Sequence, residues 1–310
     1  MIDIPLNSRY AIYAIFALLL TASATRLWLQ YRHPGKDYTE LRQRIQSWWW
    51  MIGILLVMLL ASVTIAIAFF GFMSFLALKE FFSIVPTRQA DRRVLFWAYV
   101  AIPLQYYWIA TDWYGMFIVF IPVYVFLLLP MRAVLIGETQ GFIQALGTAH
   151  WAVMLCVFCL SHVAYLMALP VQNAAAGYIG PVLYLLFITQ FNDVCQYIWG
   201  KLLGRHKIIP KVSPKKTWEG FIGGFLTVTL VSGFVAPWLT SLSRSEGFIA
   251  GAFLAVAGFI GDVVISSVKR DLRIKDSGTL IPGHGGILDR IDSLIYTAPL
   301  FFHYLRYLHY

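Results

Sequence analysis

The sequence predicts an all-α polytopic membrane protein, a bundle of about nine transmembrane helices. Three observations carry this expectation. Of 310 residues, 59% are hydrophobic and only 13% are charged, whereas an average soluble domain carries about 25% charged residues. Several apolar runs approach the ~20 residues that an α-helix needs to cross a bilayer. The 11 Trp and 17 Tyr suit a chain with many membrane–water boundaries, where amphipathic rings settle.

The expected spans are 11–30, 50–78, 93–110, 113–130, 150–170, 178–199, 219–241, 247–268 and 288–308. The first follows "NSRY" and lacks a small-residue cleavage site, so it reads as a retained span rather than a signal peptide. The second is long enough to protrude from the membrane or to break near Gly71. The fifth contains Cys156 and Cys159 within "WAVMLCVFCLSHVAYLMALP", where they read as small apolar side chains. With Cys195 the chain has three cysteines, and no disulfide framework is implied. The ninth, "ILDRIDSLIYTAPLFFHYL", begins polar and ends apolar. There is no repeat of fixed period and no low-complexity linker. One integral membrane domain, 1–310, is expected, with less specific spans over 1–180 and the motif-bearing part over 181–310.

The net charge of +9 is not diffuse. The loop 200–218 holds Lys201, Arg205, Lys207, Lys211, Lys215 and Lys216, and the stretch 269–290 holds Lys269, Arg270, Arg273, Lys275 and Arg290. Two spans separate them, so both face one side, expected to be the cytoplasm. Attraction to anionic lipid accounts for many of these cations, and no nucleic-acid partner is needed. The segment 31–49 conflicts with this count, because Arg32, Lys36, Arg42 and Arg44 would then face outward.

Four stretches carry acids or ordered cations that orientation alone does not explain. In "TQFNDVCQYIWGK", Asp193 lies near the end of an apolar span, with Asn192 and Gln196 close by. Such an acid is either paired, functional or snorkelling to the interface. In "PKVSPKKTWEG", Pro210 and Pro214 keep the backbone out of helix, and Lys215 and Lys216 project from a stiff turn beside Ser213, Thr217 and Glu219. A lysine pair so held suits a polyphosphate. In "AGFIGDVVISSVKRDLRIKD", Asp262, Ser266 and Lys269 share one helical face. The plainer account of Asp262 is a buried ion pair with Lys269.

The fourth stretch is "PGHGGILDRIDS". Gly283, Gly285 and Gly286 let backbone approach a ligand, and His284 sits among them. Asp289 and Asp292 are three residues apart, on one face of a helix. With a third carboxylate from another helix they make an oxygen-rich site of the kind Mg²⁺ shares with substrate phosphates. Carboxylates, lysines and glycines at one end of a membrane bundle are what metal-assisted phosphoryl or nucleotidyl transfer needs. A site so placed can take a water-soluble nucleotide from one side and a lipid from the other. No GxxxxGK[ST] is present, which argues against a P-loop ATPase. The acids gather in the C-terminal third rather than recurring at the middle of several spans, which argues against a transporter.

The string "SSVKRDLRIKDSGTLIPGHGGILDRIDS" resembles the signature of the phosphatidate cytidylyltransferases, or CDP-diacylglycerol synthases. Its elements are Ser266, Lys269, Arg270, Lys275, Asp276, His284, Gly285, Gly286, Asp289, Arg290 and Asp292, at the family spacing. "SPKKTWEG" matches a second block. The match is dense over 190–293 and faint before it.

The resemblance implies an all-α membrane bundle with a polar cavity open to cytoplasm and bilayer. It implies transfer of the cytidylyl group of CTP to phosphatidate, giving CDP-diacylglycerol and pyrophosphate, with Mg²⁺ required. The family's metal-binding acids fall on Asp262, Asp289 and Asp292, and its basic groups on Lys215, Lys216, Lys269 and Arg270. Asp262, Lys269, Asp289 and Asp292 are the catalytic candidates. Asp193, Ser213, Lys215, Lys216, Ser266, Arg270, Lys275, Asp276, His284, Gly285, Gly286 and Arg290 are the substrate-binding candidates. The family pattern allows a second, monovalent cation.

One block departs: where many bacterial members read Thr-Asp-Thr-Gly/Ala-Ala-Tyr, this chain has "NDVCQY". Asp193 and Tyr197 keep their places; Val194, Cys195 and Gln196 do not. The chain is thus expected to be a bacterial inner-membrane member with its site facing the cytoplasm, acting on phosphatidate or on another lipid phosphate. A member without activity, serving as an assembly partner, is opposed by the intact signature. A homodimer is compatible with the aromatic surface.

Overall fold

A computed structural model describes residues 4–35, 37–88, 91–283 and 285–310. Among the described residues the regular elements are all helices. The elements are α1 (Leu6–Arg32), α2 (Thr39–Ala61), α3 (Val63–Ile84), α4 (Arg92–Ala110), α5 (Tyr114–Val119), α6 (Phe126–Val134), α7 (Phe142–Val153), α8 (Leu160–Ala168), α9 (Gly180–Leu203), α10 (Trp218–Leu239), α11 (Arg244–Asp271) and α12 (Leu288–His309). A π turn over Phe120–Val125 joins α5 to α6, and another over Met154–Cys159 joins α7 to α8, so each pair runs on as one rod. Pro122 lies in the first of these turns, where its missing N–H loosens the helical ladder. Among the described residues, seven rods are long and apolar enough to cross a membrane.

The span expected over 50–78 is two helices, and the break is at Ser62 rather than near Gly71. Ser62 is extended, at φ −170° and ψ 162°, and its hydroxyl accepts from Ile65 N at 3.1 Å. A serine can trade the helical ladder for a cap of this kind. Gly71 stays helical, its Cα side packed on the Tyr106 ring.

This break also removes the charge conflict. At one end of the bundle, Asn7 N donates to Ala175 O at 2.8 Å and Asn173 Nδ2 to Thr240 O at 2.9 Å. These contacts gather the start of α1, the 169–179 loop and the end of α10. At the other end, Ser47 Oγ donates to Pro282 O at 2.6 Å and Arg270 Nε to Val212 O at 3.1 Å. The end of α1, the start of α2 and the 204–217 and 272–287 loops therefore share that end. Arg32, Arg42 and Arg44 lie with the other basic loops, not opposite them.

The core runs along α8, α9 and α12, where Tyr165, Tyr184, Phe301, Phe302 and Leu305 are fully buried. α9, α10 and α11 form a close-packed trio because small residues face each other. A Cβ on Gly220 would stand 2.7 Å from Gln196 O, and one on Gly247 would stand 2.6 Å from the Ala236 methyl. Tyr184 Oη meets Ser232 Oγ at 2.5 Å, and Ser232 Oγ meets Gly247 O at 2.6 Å, tying the three helices with polar contacts. The three cysteines are free thiols, with Cys156 and Cys195 buried.

Candidate active site

The C-terminal halves of α9 and α11, the N-terminal turn of α12 and the loops 204–217 and 272–287 meet at the basic end. α11 carries the helical row read from the sequence: Ser266 Oγ donates to Asp262 Oδ1 at 3.2 Å, one turn apart. The partner of Asp262 is not Lys269. Lys216 Nζ lies 2.7 Å from Asp262 Oδ2 and 4.4 Å from the centroid of the Phe259 ring. Lys269 instead reaches α12, with Nζ 2.7 Å from Asp289 Oδ1. A lysine stem is long enough to prefer an acid on the neighbouring helix, where the chain is buried along its length.

Lys216 is held there by its loop. Lys207 and Thr217 form an isolated antiparallel bridge, and Ile208 N donates to Lys216 O at 3.2 Å. Glu219, in the first turn of α10, accepts from Arg205 N at 3.0 Å and meets His206 Nδ1 at 2.6 Å. Thr217 caps α10 through Gly220 N. Glu219 is thus a clasp for the loop. Lys215 points out and is exposed, and Ser213 is half-buried with its backbone in the turn.

Asp289 is buried, 6% exposed. Besides Lys269 it accepts from Ser277 N at 2.8 Å, Ser277 Oγ at 2.9 Å and Gly286 N at 3.0 Å. Asp292, one turn on, accepts from Ser293 N at 2.7 Å. Ser293 Oγ donates across to Asp193 Oδ2 on α9 at 3.1 Å. Asp193, Asp262 and Asp292, from three helices, lie within electrostatic reach of one another. Lys216 and Arg290 act on Asp193, and Lys269 acts on Asp292. Arg290 Nε is buried with no hydrogen-bond partner among the described residues, a donor left to be satisfied.

Asp262, Lys269, Asp289, Asp292, Asp193, Ser266, Lys216 and Arg290 therefore share one region. Others stand apart. Arg270 donates to the carbonyls of Val212 and Ile274 and so braces the two loops. Lys275 and Asp276 are exposed on the 272–287 loop. His284 lies outside the described residues. Gly285, at φ +80°, turns the chain so that Ile281 N reaches its carbonyl at 2.9 Å.

Gly286 is required for a different reason, which leads to a residue the sequence reading missed. A side chain there would run into the carboxylate of Glu80, near the end of α3. Glu80 accepts from Ile287 N at 2.8 Å, Leu288 N at 3.0 Å and Ser277 Oγ at 2.5 Å. The signal was available: "LALKEFF" places an acid at the end of an apolar helix, where such groups are rarely idle.

Among the described residues no three His, Cys, Asp or Glu side chains are arranged to hold a metal ion by themselves. The donors that do converge are carboxylates, the ligand type of a hard cation. Mg²⁺ commonly takes one or two carboxylates and completes its shell with water and substrate phosphates. The residues present fit that mode of binding.

Comparison with known proteins gives the chemistry a context. The sequence pattern of the family described as "Cytidylyltransferase family" matches residues 42–308. The chain is 42% identical over 293 residues to "Uncharacterized protein YnbB" of Escherichia coli (strain K12), covering 94% of this chain and 96% of that one. It is 32% identical over 255 residues to a phosphatidate cytidylyltransferase of Staphylococcus haemolyticus (strain JCSC1435), covering 80% and 92%. A phosphatidate cytidylyltransferase of Staphylococcus aureus (strain COL) is 36% identical over 162 residues, 50% of this chain and 61% of that protein.

Proposed function

Because this chain belongs to the cytidylyltransferase family, we propose that it transfers the cytidylyl group of CTP to phosphatidate in phospholipid synthesis. A phosphate oxygen of the lipid attacks the α-phosphorus of CTP. The bond from that phosphorus to the β-phosphate oxygen breaks, and pyrophosphate leaves as CDP-diacylglycerol forms. The observation that carries this reading is the pairing of Lys216 with Asp262 and Lys269 with Asp289 at one end of a membrane bundle.

Each lysine has an acid partner that it can exchange for a phosphate. Lys216 and Lys269 turn to the polyphosphate of CTP, and their acids are freed for a cation. Asp262, Asp289 and Asp292 would hold that cation, with Asp193 beside them. Mg²⁺, when bound, polarises the phosphoryl oxygens and offsets charge growing on the leaving group. Arg290, with an unsatisfied Nε, holds a phosphate oxygen by a charge-assisted hydrogen bond. The basic residues of this end support a cytoplasmic orientation for the site, in a bacterial inner membrane. CTP arrives from that side and the lipid from between the helices.

The test is pyrophosphate release by the purified protein in detergent with CTP, Mg²⁺ and dioleoyl phosphatidate. Release that needs all three is expected, and Asp289→Asn is expected to abolish it without unfolding the protein. Retained activity in that variant would sink the role given to Asp289. A second reading, transfer to another lipid phosphate, is favoured by the "NDVCQY" block. There Val194, next to Asp193, is 51% exposed on α9, while Gln196 turns inward to bond Asn192 at 3.0 Å. A panel of lipid phosphates separates the two readings.

A further inference from the structure

We propose that Glu80 is a positioning residue for the catalytic turn of α12, a carboxylate lent by the N-terminal half of the chain to cap a helix in the C-terminal half. This rests on the cytidylyltransferase reading for its functional part alone. The structural need is plain. The first turn of a helix leaves backbone N–H groups without partners. α12 is preceded by Ile287, which has no side-chain acceptor, and no local side chain caps it.

Glu80 fills that role from α3. Oε2 takes Ile287 N at 2.8 Å and Oε1 takes Leu288 N at 3.0 Å, across 207 and 208 residues of sequence. Its negative charge also opposes the positive end of the helix dipole. The turn carries Asp289 as its next residue and Asp292 one turn on. The orientation of both acids therefore follows from where Glu80 pins the start of the helix.

A second link runs through Ser277. Its hydroxyl lies 2.5 Å from Glu80 Oε1 and 2.9 Å from Asp289 Oδ2, so one hydrogen serves two carboxylates. Glu80 thus holds the backbone before Asp289 and also the hydroxyl that touches Asp289. Gly286 and Gly278 keep the space clear: a Cβ on Gly278 would stand 3.2 Å from Glu80 Oε2, and one on Gly286 would clash with the carboxylate outright. The glycines of this loop serve the approach of Glu80 as well as the turn.

Glu80→Gln is the discriminating change. Glutamine keeps the size but offers one oxygen, so its amide N–H group faces one of the two backbone donors, Ile287 N or Leu288 N. Hydrogen–deuterium exchange in detergent is read over the 279–293 region for wild type and variant. Exchange there should rise by about tenfold or more, with α9 and α10 unchanged. In Glu80→Asp, which keeps both oxygens, it should fall between the two; this variant carries the test if Glu80→Gln does not fold. Unchanged exchange, or a rise spread evenly over all helices, overturns the proposal.

The functional arm is the Mg²⁺ dependence of pyrophosphate release. The half-saturating Mg²⁺ concentration should rise by about tenfold in Glu80→Gln, as for other supports of a ligating group. A variant with wild-type Mg²⁺ dependence overturns the positioning role. If wild type itself releases no pyrophosphate, the cytidylyltransferase reading fails, and the exchange data still decide whether Glu80 caps the helix.

Discussion

Lys216 and Lys269 each stand 2.7 Å from a carboxylate, and both lysines are mostly buried, at 15% and 12% exposed. Ion pairs so enclosed are costly to form and more costly to break from one side only. Removing a lysine strands a buried acid, and removing the acid strands a lysine. Lys216→Ala should lower pyrophosphate release by about 10²-fold, the size expected for a lost donor to developing charge. Lys216→Arg keeps the charge but brings a planar fork into a slot shaped by the Phe259 face, and should recover only part of the rate. Steady-state kinetics against CTP concentration checks both. Full activity in Lys216→Ala would remove this residue from the site. At this scale the sequence was informative about identity. Asp193, Asp262, Asp289, Asp292, Lys216, Lys269 and Arg290 gather in one region, whereas Lys215, Lys275 and Asp276 are exposed, Arg270 braces two loops, and His284 lies outside the described residues.

Two helices matter more than their polar residues suggest. α11 and α12 approach through Gly261, where a Cβ would stand 2.5 Å from Asp292 O and 3.1 Å from Ser293 Cα. Gly261→Ala should push α12 outward and separate Asp292 from Asp262. Overpacking of this kind costs about 1–3 kcal/mol. The variant should lose most of its activity and unfold a few degrees earlier in detergent. Gly53→Ala on α2, with nothing within 4 Å, should change neither property and serves as the control. The same scale explains the missed break in the second expected span. The run 50–78 is continuously apolar, so hydropathy alone joins what Ser62 divides. A single capping serine makes little mark on a window of about twenty residues, yet it reverses the chain.

That reversal decides how the whole molecule is oriented. With α2 and α3 as a hairpin, Arg32, Arg42 and Arg44 join the basic loops at one end. Labelling with a membrane-impermeant thiol reagent tests this in a background without the native cysteines. Arg44→Cys and Lys211→Cys should react from the same side, and Gln172→Cys from the opposite side. Reaction of Arg44→Cys with Gln172→Cys would restore the odd count and refute the hairpin.

By itself the sequence determined the helical class, most span positions and the residue types of the site. Apolar length and helical spacing are local properties, and acids within them stand out. It also determined that Asp262 and Ser266 share a face, since one helix fixes their separation. Only the tertiary structure decided which lysine meets which acid, and that Glu80 caps α12. Those contacts join residues as far apart as 208 positions. Packing of small residues between α9, α10 and α11, and of α3 against the 272–287 loop, brings them together. Such packing depends on which helix faces fit one another in three dimensions, and no local period records that.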